Sequence, residues 1–300
     1  MGELRVALRG LSKNRGFAVV AILSLALGIA ATTALFSVVY GVLIRPYPYK
    51  DCAKIWSPHL ISAKNDDNWG VYPMREYQEF AKLPAFADVM ATSPEGDMLL
   101  GGEYTPDMIR CVRVTPNAFQ FLGVPTVVGR TILPTDVDES GEPADVMVLS
   151  FRMWQRLFDG SPTAIGKSLR LNDRLYQVIG VMPPRFGWWT DDGFWMPMAK
   201  NDPTNRRRCV PIVRLKENVT VEAAEAQAHA LHQALLKEGS TMFGREEFRT
   251  RLVNYMDMTV ASGDMERNLW LLFGAVVLLL MIACANVANL QLARSSTRAR

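Results

Sequence analysis

The stretch FAVVAILSLALGIAATTALFSVVYGVLI, residues Phe17 to Ile44, contains no charged residue. A second uncharged stretch, NLWLLFGAVVLLLMIACANVANLQLA, covers Asn268 to Ala293 and lies between Arg267 and Arg294. Each is long enough to cross a hydrocarbon layer of about 30 Å, and neither has the polar face that a globular core helix would show. The two stretches therefore predict transmembrane helices at residues 16–45 and 268–293.

Residues 46–266 have a different composition. This segment carries nearly all the acidic residues and alternates short apolar runs with Pro, Gly and Asp turns. At about 220 residues it is large enough for a core of its own and for two subdomains. We predict a membrane protein in which two transmembrane α-helices flank a mixed α+β extracytoplasmic domain.

Positive charge next to the two apolar stretches predicts the orientation. The basic residues that flank them are Arg5, Arg9, Lys13, Arg15, Arg294, Arg298 and Arg300. Lys and Arg in short flanking segments stay in the cytoplasm, whereas long loops are translocated largely regardless of charge. Both termini of this multi-pass membrane protein are therefore expected in the cytoplasm, with residues 46–266 outside it.

The first fifteen residues have their own pattern. Leu4, Leu8 and Leu11 recur at helical spacing, and basic residues lie on the other faces. This pattern predicts an amphipathic helix at residues 1–15 on the inner membrane surface, either as a topological anchor or as a docking surface. A cleaved signal peptide is the alternative, but the apolar run exceeds the roughly 7–15 residues of such a segment.

Local signals predict several elements of the outer domain. Thr220 is a candidate N-cap, and Gly239 lies just beyond the end of the helix it would begin. The predicted helices are Pro73–Leu83, Phe151–Phe158 and Val221–Lys237, and the predicted strands are Asp145–Leu149 and Tyr176–Met182.

Two motifs resemble ligand loops but fail on spacing. Gly160 to Ser168 has five residues between its glycines where a phosphate loop needs four, and Ser168 opens an alternating, strand-like segment. Asp136 and Asp138 begin like a calcium loop, but Met147 stands at the twelfth position where a Glu is needed. We interpret the first as a turn and the second as an exposed acidic turn.

Histidine and arginine clusters are also weak signals. His229 and His232 lie one turn apart with Glu225 nearby, and a solvated helix surface is favoured over a metal site. The basic triplet 206–208 would lie outside the cytoplasm, where a solvated turn or a lipid headgroup explains it better than nucleic acid. We expect no metal, no cofactor and no catalytic residue.

Cysteine usage leaves one question open. Cys52, Cys111 and Cys209 lie in the outer domain, and Cys284 lies in the second span. An odd number outside cannot all be paired, although one disulfide is possible in an oxidising compartment.

Small and polar residues inside the spans predict helix packing. The first span offers Gly28, Ala31 and Thr32, and the second offers Asn286 and Asn289. Small residues let helices approach closely, and amides form hydrogen bonds between helices. The partners are either the other span or further membrane helices.

Several stretches resemble the MacB/FtsX-type permeases of ABC transporters, in the family's order. ALGIAATTALFSVVYGVLIRP (Ala26–Pro46) is similar to the family's first helix, and ACANVANLQLAR (Ala283–Arg294) to the end of its second. Five further stretches resemble the family's periplasmic domain: RVTPNAFQFLGVPTVVGRTILPTD (Arg113–Asp136), VLSFRMWQRLF (Val148–Phe158), IGKSLRLN (Ile165–Asn172), YQVIGVMPPRF (Tyr176–Phe186) and VRLKENVT (Val213–Thr220).

The resemblance implies a non-enzymatic permease that depends on a separate ABC ATPase. It places ATPase docking on the N-terminal helix, through Arg5, Arg9 and Lys13, and on the start of a cytoplasmic coupling segment at 294–300, through Arg294 and Arg298. It also implies a dimer of permeases. Such permeases have at least four spans, so we expect a fragment, a truncated product or the first part of a longer permease.

Two other classes of protein fit parts of the sequence. A two-span binding or sensor protein could share the outer domain, but the short basic tail after Ala293 is no output module. A membrane-tethered hydrolase is disfavoured because spacing picks out no pair of nucleophile and base.

Overall fold

The computed structural model describes residues 15–41, 47–62, 68–200, 207–239, 248–260 and 263–298. The chain forms two compact units. One, which we call the domain unit, is Tyr47–Met258; the other, the helix unit, combines Met1–Pro46 with Thr259–Arg300.

The described elements alternate short helices with strands between two long helices. The α-helices are α1 (Arg15–Val39), α2 (Met74–Phe80), α3 (Ala118–Leu122), α4 (Phe151–Phe158), α5 (Val221–Lys237), α6 (Tyr255–Val260) and α7 (Gly263–Arg298). The strands are β1 (Ile55–Ser62), β2 (Asn68–Trp69), β3 (Tyr72–Pro73), β4 (Phe86–Gly101), β5 (Asp107–Val114), β6 (Val128–Gly129), β7 (Val146–Leu149), β8 (Ser168–Leu171), β9 (Arg174–Val181), β10 (Gly193–Pro197), β11 (Arg208–Leu215) and β12 (Phe248–Asn254).

The helix unit contains the two apolar helices predicted from the sequence. By length and composition alone, Ile22–Val39 in α1 and Arg267–Asn289 in α7 could cross a membrane, with mean hydropathies of 2.2 and 2.6. Large apolar side chains such as Leu27 and Leu271 are exposed along them. So much exposed apolar surface is what a helix facing lipid needs, but the membrane placement itself stays a prediction.

The domain unit is built on one mixed sheet. Its strands follow the order β12-β1-β11-β4-β5-β10-β7-β9-β6, and β8 pairs with both β4 and β9. The pair β5–β10 and the pair β7–β9 are parallel, and the other neighbours are antiparallel. The long strand β4 shifts register between Pro94 and Gly96, and Gly96 has a positive φ of 91°. The shifted half of β4 reaches β8.

Three large hydrophobic clusters lie along the sheet. One packs α2 and α5 at the β12 end, with Leu60, Phe80 and Ala228 in its interior. Another packs α4 with β7 and β9, around Trp154 and Val178. The third lies between them and is rich in aromatic side chains. One sheet serves all three clusters, and the division into two subdomains stays a prediction.

Predictions that depended on local signals are confirmed. The helix predicted at Phe151–Phe158 is α4, and Val221–Lys237 is α5. The Thr220 hydroxyl accepts a hydrogen bond from the Ala223 amide at 3.3 Å, and Gly239 has a φ of 64°, as expected of a cap at each end. Ser168 opens the strand β8, as its alternation indicated. The helix predicted at Pro73–Leu83 is shorter, as α2.

Candidate functional site

Histidine burial corrects one prediction about α5. His232 is buried, and neither ring nitrogen has a hydrogen-bond partner among the described residues, so it does not lie on a solvated surface. The sequence pattern missed this because the strand that covers α5, β12, follows it in the chain. His229 accepts a bond from the Thr250 amide at 3.4 Å, and Glu225 accepts one from the Leu252 amide. Among the described residues, no three His, Cys, Asp or Glu side chains are grouped to hold a metal.

The prediction of an exposed acidic turn is wrong at Asp136. Asp136 is buried rather than exposed, and Arg130 donates to both of its carboxylate oxygens at 2.6 and 2.7 Å. Burial raises the pKa of the Asp136 carboxyl, but the bonds from Arg130 and from the Leu133 amide outweigh it and hold the pKa below its usual value. Asp138 is exposed as predicted, and Ser140 donates to it at 2.6 Å.

The basic triplet falls partly outside the described residues. Arg206 lies outside them. Arg207 and Arg208 are half-buried at the start of β11, where the Arg207 carbonyl accepts a bond from the Met74 amide at 3.2 Å. A fully solvated turn is therefore wrong for these two residues.

All four cysteines lie within the described residues, and none of them forms a disulfide. Cys111 and Cys209 are buried in the domain unit, and burial raises the pKa of Cys209 to about 12. The disulfide that the sequence left open does not form in this structure, and a thiol with so high a pKa is a poor nucleophile near neutral pH.

The predicted helix-packing residues divide into two groups. Gly28 faces α7, because a Cβ placed on it would lie 2.8 Å from Leu280 Cδ1. The Thr32 hydroxyl donates to the Gly28 carbonyl at 2.8 Å within its own helix. The second group, which is exposed in the helix unit, consists of Ala31, Asn286 and Asn289. Packing by this second group on further helices stays a prediction.

The predicted ATPase-docking residues remain untested. Arg5, Arg9 and Lys13 lie outside the described residues. Arg294 and Arg298 fall on the backbone of α7, with side chains outside the described part.

The two ends of the domain unit meet in an aromatic cluster that the sequence analysis did not single out. We call Tyr47, Tyr49, Phe186, Trp188 and Tyr255 the junction cluster. Trp188 stacks on Tyr255 with ring centroids 4.4 Å apart, and Tyr47 stacks on Tyr49 at 5.0 Å. Tyr49 meets Trp188 edge-on at 5.3 Å and so joins the two stacks. Such pairs each contribute about 0.5–1.5 kcal/mol beyond the area they bury.

Polar contacts fix the chain on both sides of the junction cluster. Arg214 donates to the carbonyls of Lys50 and Phe121, each at 2.7 Å. The Asn254 amide donates to the Ala53 carbonyl at 3.0 Å. The first segment of the domain unit is therefore tied both to β11 and to the end of β12.

Tyr49 and Tyr255, in the junction cluster, are uncharged near neutral pH. Burial raises the pKa of Tyr49 and of Tyr255 well above the usual value for a phenol. The Tyr49 hydroxyl donates to the Phe186 carbonyl. A neutral, closely packed cluster resists separation because opening it would expose apolar surface.

The sequence did contain a signal for this cluster. Tyr47 and Tyr49 follow the first apolar stretch, and Tyr255 precedes the second. Aromatic residues in such places are usually interpreted as interfacial anchors, which would not predict that they touch each other.

A separate open cleft of about 670 Å³ lies between α2 and the ends of β5 and β10. Buried Met74 and Met198 are among its apolar lining residues, and Lys82 and Lys200 are among its polar ones. Burial raises the pKa of the Tyr77 phenol in this cleft to about 12. Its size is within the range of small-molecule pockets.

Comparison with known proteins identifies the family. Residues 18–231 match the family described as MacB-like periplasmic core domain. The chain belongs to that family. The match begins inside α1 and extends into α5, so it includes one long apolar helix and most of the domain unit. A search of curated proteins gives no match.

Solved structures show the same fold. The periplasmic region of MacB from Actinobacillus actinomycetemcomitans is 17% identical, with a TM-score of 0.52, and the alignment covers 75% of this chain and 95% of that one. The extracellular domain of the noncanonic ABC-type transporter YknZ from Gram-positive bacteria is 13% identical, with a TM-score of 0.50 over 65% of this chain and 98% of that one. At such identities the likeness shows the fold alone.

Proposed function

We propose that this chain is a permease component of an ABC transporter and is not itself an enzyme. The observation that carries the proposal is the family match at residues 18–231, which joins an apolar helix to the MacB-like domain. The two long apolar helices, which precede and follow the domain unit in the chain, support it. A separate ATPase hydrolyses ATP in the cytoplasm, and the spans transmit the resulting movement to the periplasmic domain.

The junction cluster suits that transmission. Tyr47 and Tyr49 belong to the segment that follows α1, and Tyr255 belongs to the segment that precedes α7. Because these rings pack on one another, the two segments cannot separate without breaking the stacks. A movement of either span reaches the domain as a displacement of the whole cluster.

The same proposal includes orientation and partners. Both termini face the cytoplasm, and the domain faces the periplasm, as the flanking Arg and Lys residues indicate. Arg5, Arg9, Lys13, Arg294 and Arg298 contact the ATPase. Gly28, Ala31, Thr32, Asn286 and Asn289 serve contacts between membrane helices, within the chain and with a second permease copy.

Affinity purification of the full chain from its native host tests the proposal. The detergent-solubilised protein should retain a P-loop ATPase that mass spectrometry identifies. Replacing Arg5, Arg9 and Lys13 together by Glu should remove that ATPase. A matched control reverses three exposed charges of the domain unit, Lys237, Arg249 and Arg251, and should keep it. A folded, membrane-inserted wild-type chain that retains no ATPase would contradict the permease role.

A second variant tests the junction cluster. Tyr255→Leu removes the stack on Trp188 but keeps an apolar side chain, so the domain should still fold. We expect the ATPase to remain bound, while the ATP-dependent change in protease sensitivity of the domain is lost. An unchanged ATP response would show that the cluster does not transmit movement.

The second candidate function is an extracytoplasmic binding protein. The 670 Å³ cleft favours it, because buried apolar side chains such as Met74 and Met198 line it together with Lys82 and Lys200, as is typical of small-molecule sites. This function predicts a folded chain that binds a small apolar molecule and copurifies without an ATPase.

A further inference from the structure

An exposed tryptophan lies next to the junction cluster in the chain. Trp188 belongs to that cluster and is fully buried, whereas 36% of the surface of its neighbour, Trp189, is exposed. Trp189 also has a positive φ of 60°, which bulky side chains rarely adopt. A large apolar ring is therefore kept at the surface in an unfavourable backbone conformation, and packing in the core does not account for its position.

The loop that carries Trp189 is fixed to both ends of the domain unit. The Tyr49 hydroxyl, which belongs to the first segment, donates to the Phe186 carbonyl. The Trp188 ring stacks on Tyr255, which belongs to the last segment. Through its chain neighbours, Trp189 is therefore held at the end of the domain unit from which both long apolar helices continue.

The chain between this end and the first predicted span is short. The span is predicted to end at residue 45, so Tyr47 lies two residues beyond it. Two residues extend at most about 7 Å, which is about the thickness of one headgroup layer. A Cβ placed on Gly187 would lie 3.6 Å from Cε1 of Tyr47, so the loop of Trp189 is adjacent to a residue expected in this layer.

We propose that Trp189 contacts the headgroup region of the bilayer and holds the domain unit at the membrane surface. An indole suits that layer, because its rings are apolar and its N–H can donate to water or to a lipid oxygen. Tyr47, which is half-buried, presents a second ring of the same character. The inference rests on the membrane placement of the two helices in the proposed function, but it requires neither an ATPase nor a substrate.

Fluorescence quenching by brominated lipid tests this contact on the full chain. The protein is reconstituted in nanodiscs of phosphatidylcholine, either unmodified or brominated on the acyl chains close to the headgroup. Of the seven tryptophans, lipid should quench Trp189 and also Trp270, which lies in the second predicted span. Trp189→Phe should therefore reduce the quenched fraction of the emission to roughly half of its wild-type value.

Trp69→Phe is the matched control. Trp69 is 45% exposed and pairs with Leu60, five residues along β1 from Ile55, which packs in the same hydrophobic cluster as the junction residues. At about 3.3 Å per residue, this position is roughly 16 Å away from that end of the strand. Replacing Trp69 removes an unquenched emitter, so the quenched fraction should rise slightly.

A glycine variant guards against misfolding. Glycine adopts a positive φ without strain, so Trp189→Gly should fold at least as well as the wild type. It should lose as much quenching as Trp189→Phe, and this loss cannot then be attributed to a strained replacement.

Trp270→Phe separates this inference from the proposed function. If it leaves the quenched fraction unchanged, the second helix does not lie in lipid, and the membrane placement and the contact of Trp189 are both wrong. If Trp270→Phe lowers the quenched fraction but both Trp189 variants raise it, as Trp69→Phe does, the contact of Trp189 alone is overturned. A lower fraction in the Trp270 and Trp189 variants, with a higher one in Trp69→Phe, supports the contact.

Discussion

His232 gives the sharpest test of the packing between α5 and β12. It shares the buried face of α5 with Ala224, Ala228 and Leu235 and is 1% exposed. Neither of its ring nitrogens has a partner among the described residues. Replacing it by Leu removes two unsatisfied polar atoms and places an apolar side chain of similar size on the same face.

The size of the effect follows from that burial. An unsatisfied buried polar group costs about 1–3 kcal/mol, and a change of shape in a packed core offsets part of the gain. We expect His232→Leu to raise the free energy of unfolding at neutral pH by about 1 kcal/mol. For a domain of this size the midpoint of thermal unfolding should rise by about 2–4 °C.

The pH dependence supplies a second measure. Burial, and to a lesser degree the charge of His229, lowers the pKa of His232 below the ordinary histidine value of 6.5. Below about pH 6.5 the unfolded chain therefore binds a proton that the folded chain does not. As the pH is lowered from about 6.5 toward the folded pKa, the free energy of unfolding decreases by up to about 1.4 kcal/mol per pH unit. Above about pH 6.5 both states are neutral, and this contribution is constant.

His59 contributes to the same pH window. Burial lowers the pKa of His59 too, against an opposing hydrogen bond between its Nδ1 and Asn68 at 2.5 Å. His232→Leu should therefore reduce the slope below about pH 6.5 without abolishing it, and His232→Leu with His59→Leu should reduce it further.

Denaturant unfolding of the full chain in detergent, followed by tryptophan fluorescence, measures both effects. Trp188 and Trp195 are buried and should change emission when the domain unfolds. The interpretation is refuted if His232→Leu destabilises the domain at neutral pH, or if its pH slope equals that of the wild type.

Three further predictions come from other contacts. Asp136→Asn removes a charged acceptor of two Arg130 bonds and should cost about 1–3 kcal/mol at neutral pH in the same unfolding assay, whereas Asp138→Asn, at an exposed position, should cost less. Because the folded pKa of Asp136 is depressed, this contribution is present above the ordinary pKa of an aspartate and is lost as the pH falls through the depressed folded pKa. Gly28→Ala should be tolerated, since the end of the Leu280 side chain can move, whereas Gly28→Ile should separate α1 from α7. Cysteines that replace Phe36 and Phe273, whose ring centroids are 6.2 Å apart, measure this separation, because Gly28→Ile should slow the formation of a disulfide between them. Gly180→Ala should lower the thermal midpoint because its Cβ would lie 2.1 Å from the Arg130 carbonyl oxygen, and Gly101→Ala, with nothing within 4 Å, is the control that should not.

Elements defined by neighbouring residues could be predicted from the sequence. The helix α5 has its cap at Thr220, its apolar face at every third or fourth position and Gly239 at its end, so a single window contains all its signals. The apolar helices α1 and α7 are equally local features. Agreement is best where the chemistry of a residue and its structural partner lie within one helical turn.

Features formed by distant residues could not be predicted in this way. In the sequence pattern His232 borders the apolar stripe, whereas in the structure β12 covers it. In the junction cluster, Tyr49 contacts Phe186 and Tyr255, which come from separate segments, so no spacing rule groups them. In each case the charge or burial of a side chain depends on segments that a sequence window does not contain.

The junction cluster has a topological cause that the strand register makes visible. Ile55 at the start of β1 pairs with Arg214 near the end of β11, and Trp56 pairs with Asn254 at the end of β12. The start of β1 and the end of β12 therefore lie at the same edge of the sheet. Since β1 follows the first long helix and β12 precedes the second, this order alone brings the two connecting segments together. The aromatic side chains then pack against one another where the two connecting segments meet, a position that follows from the strand order.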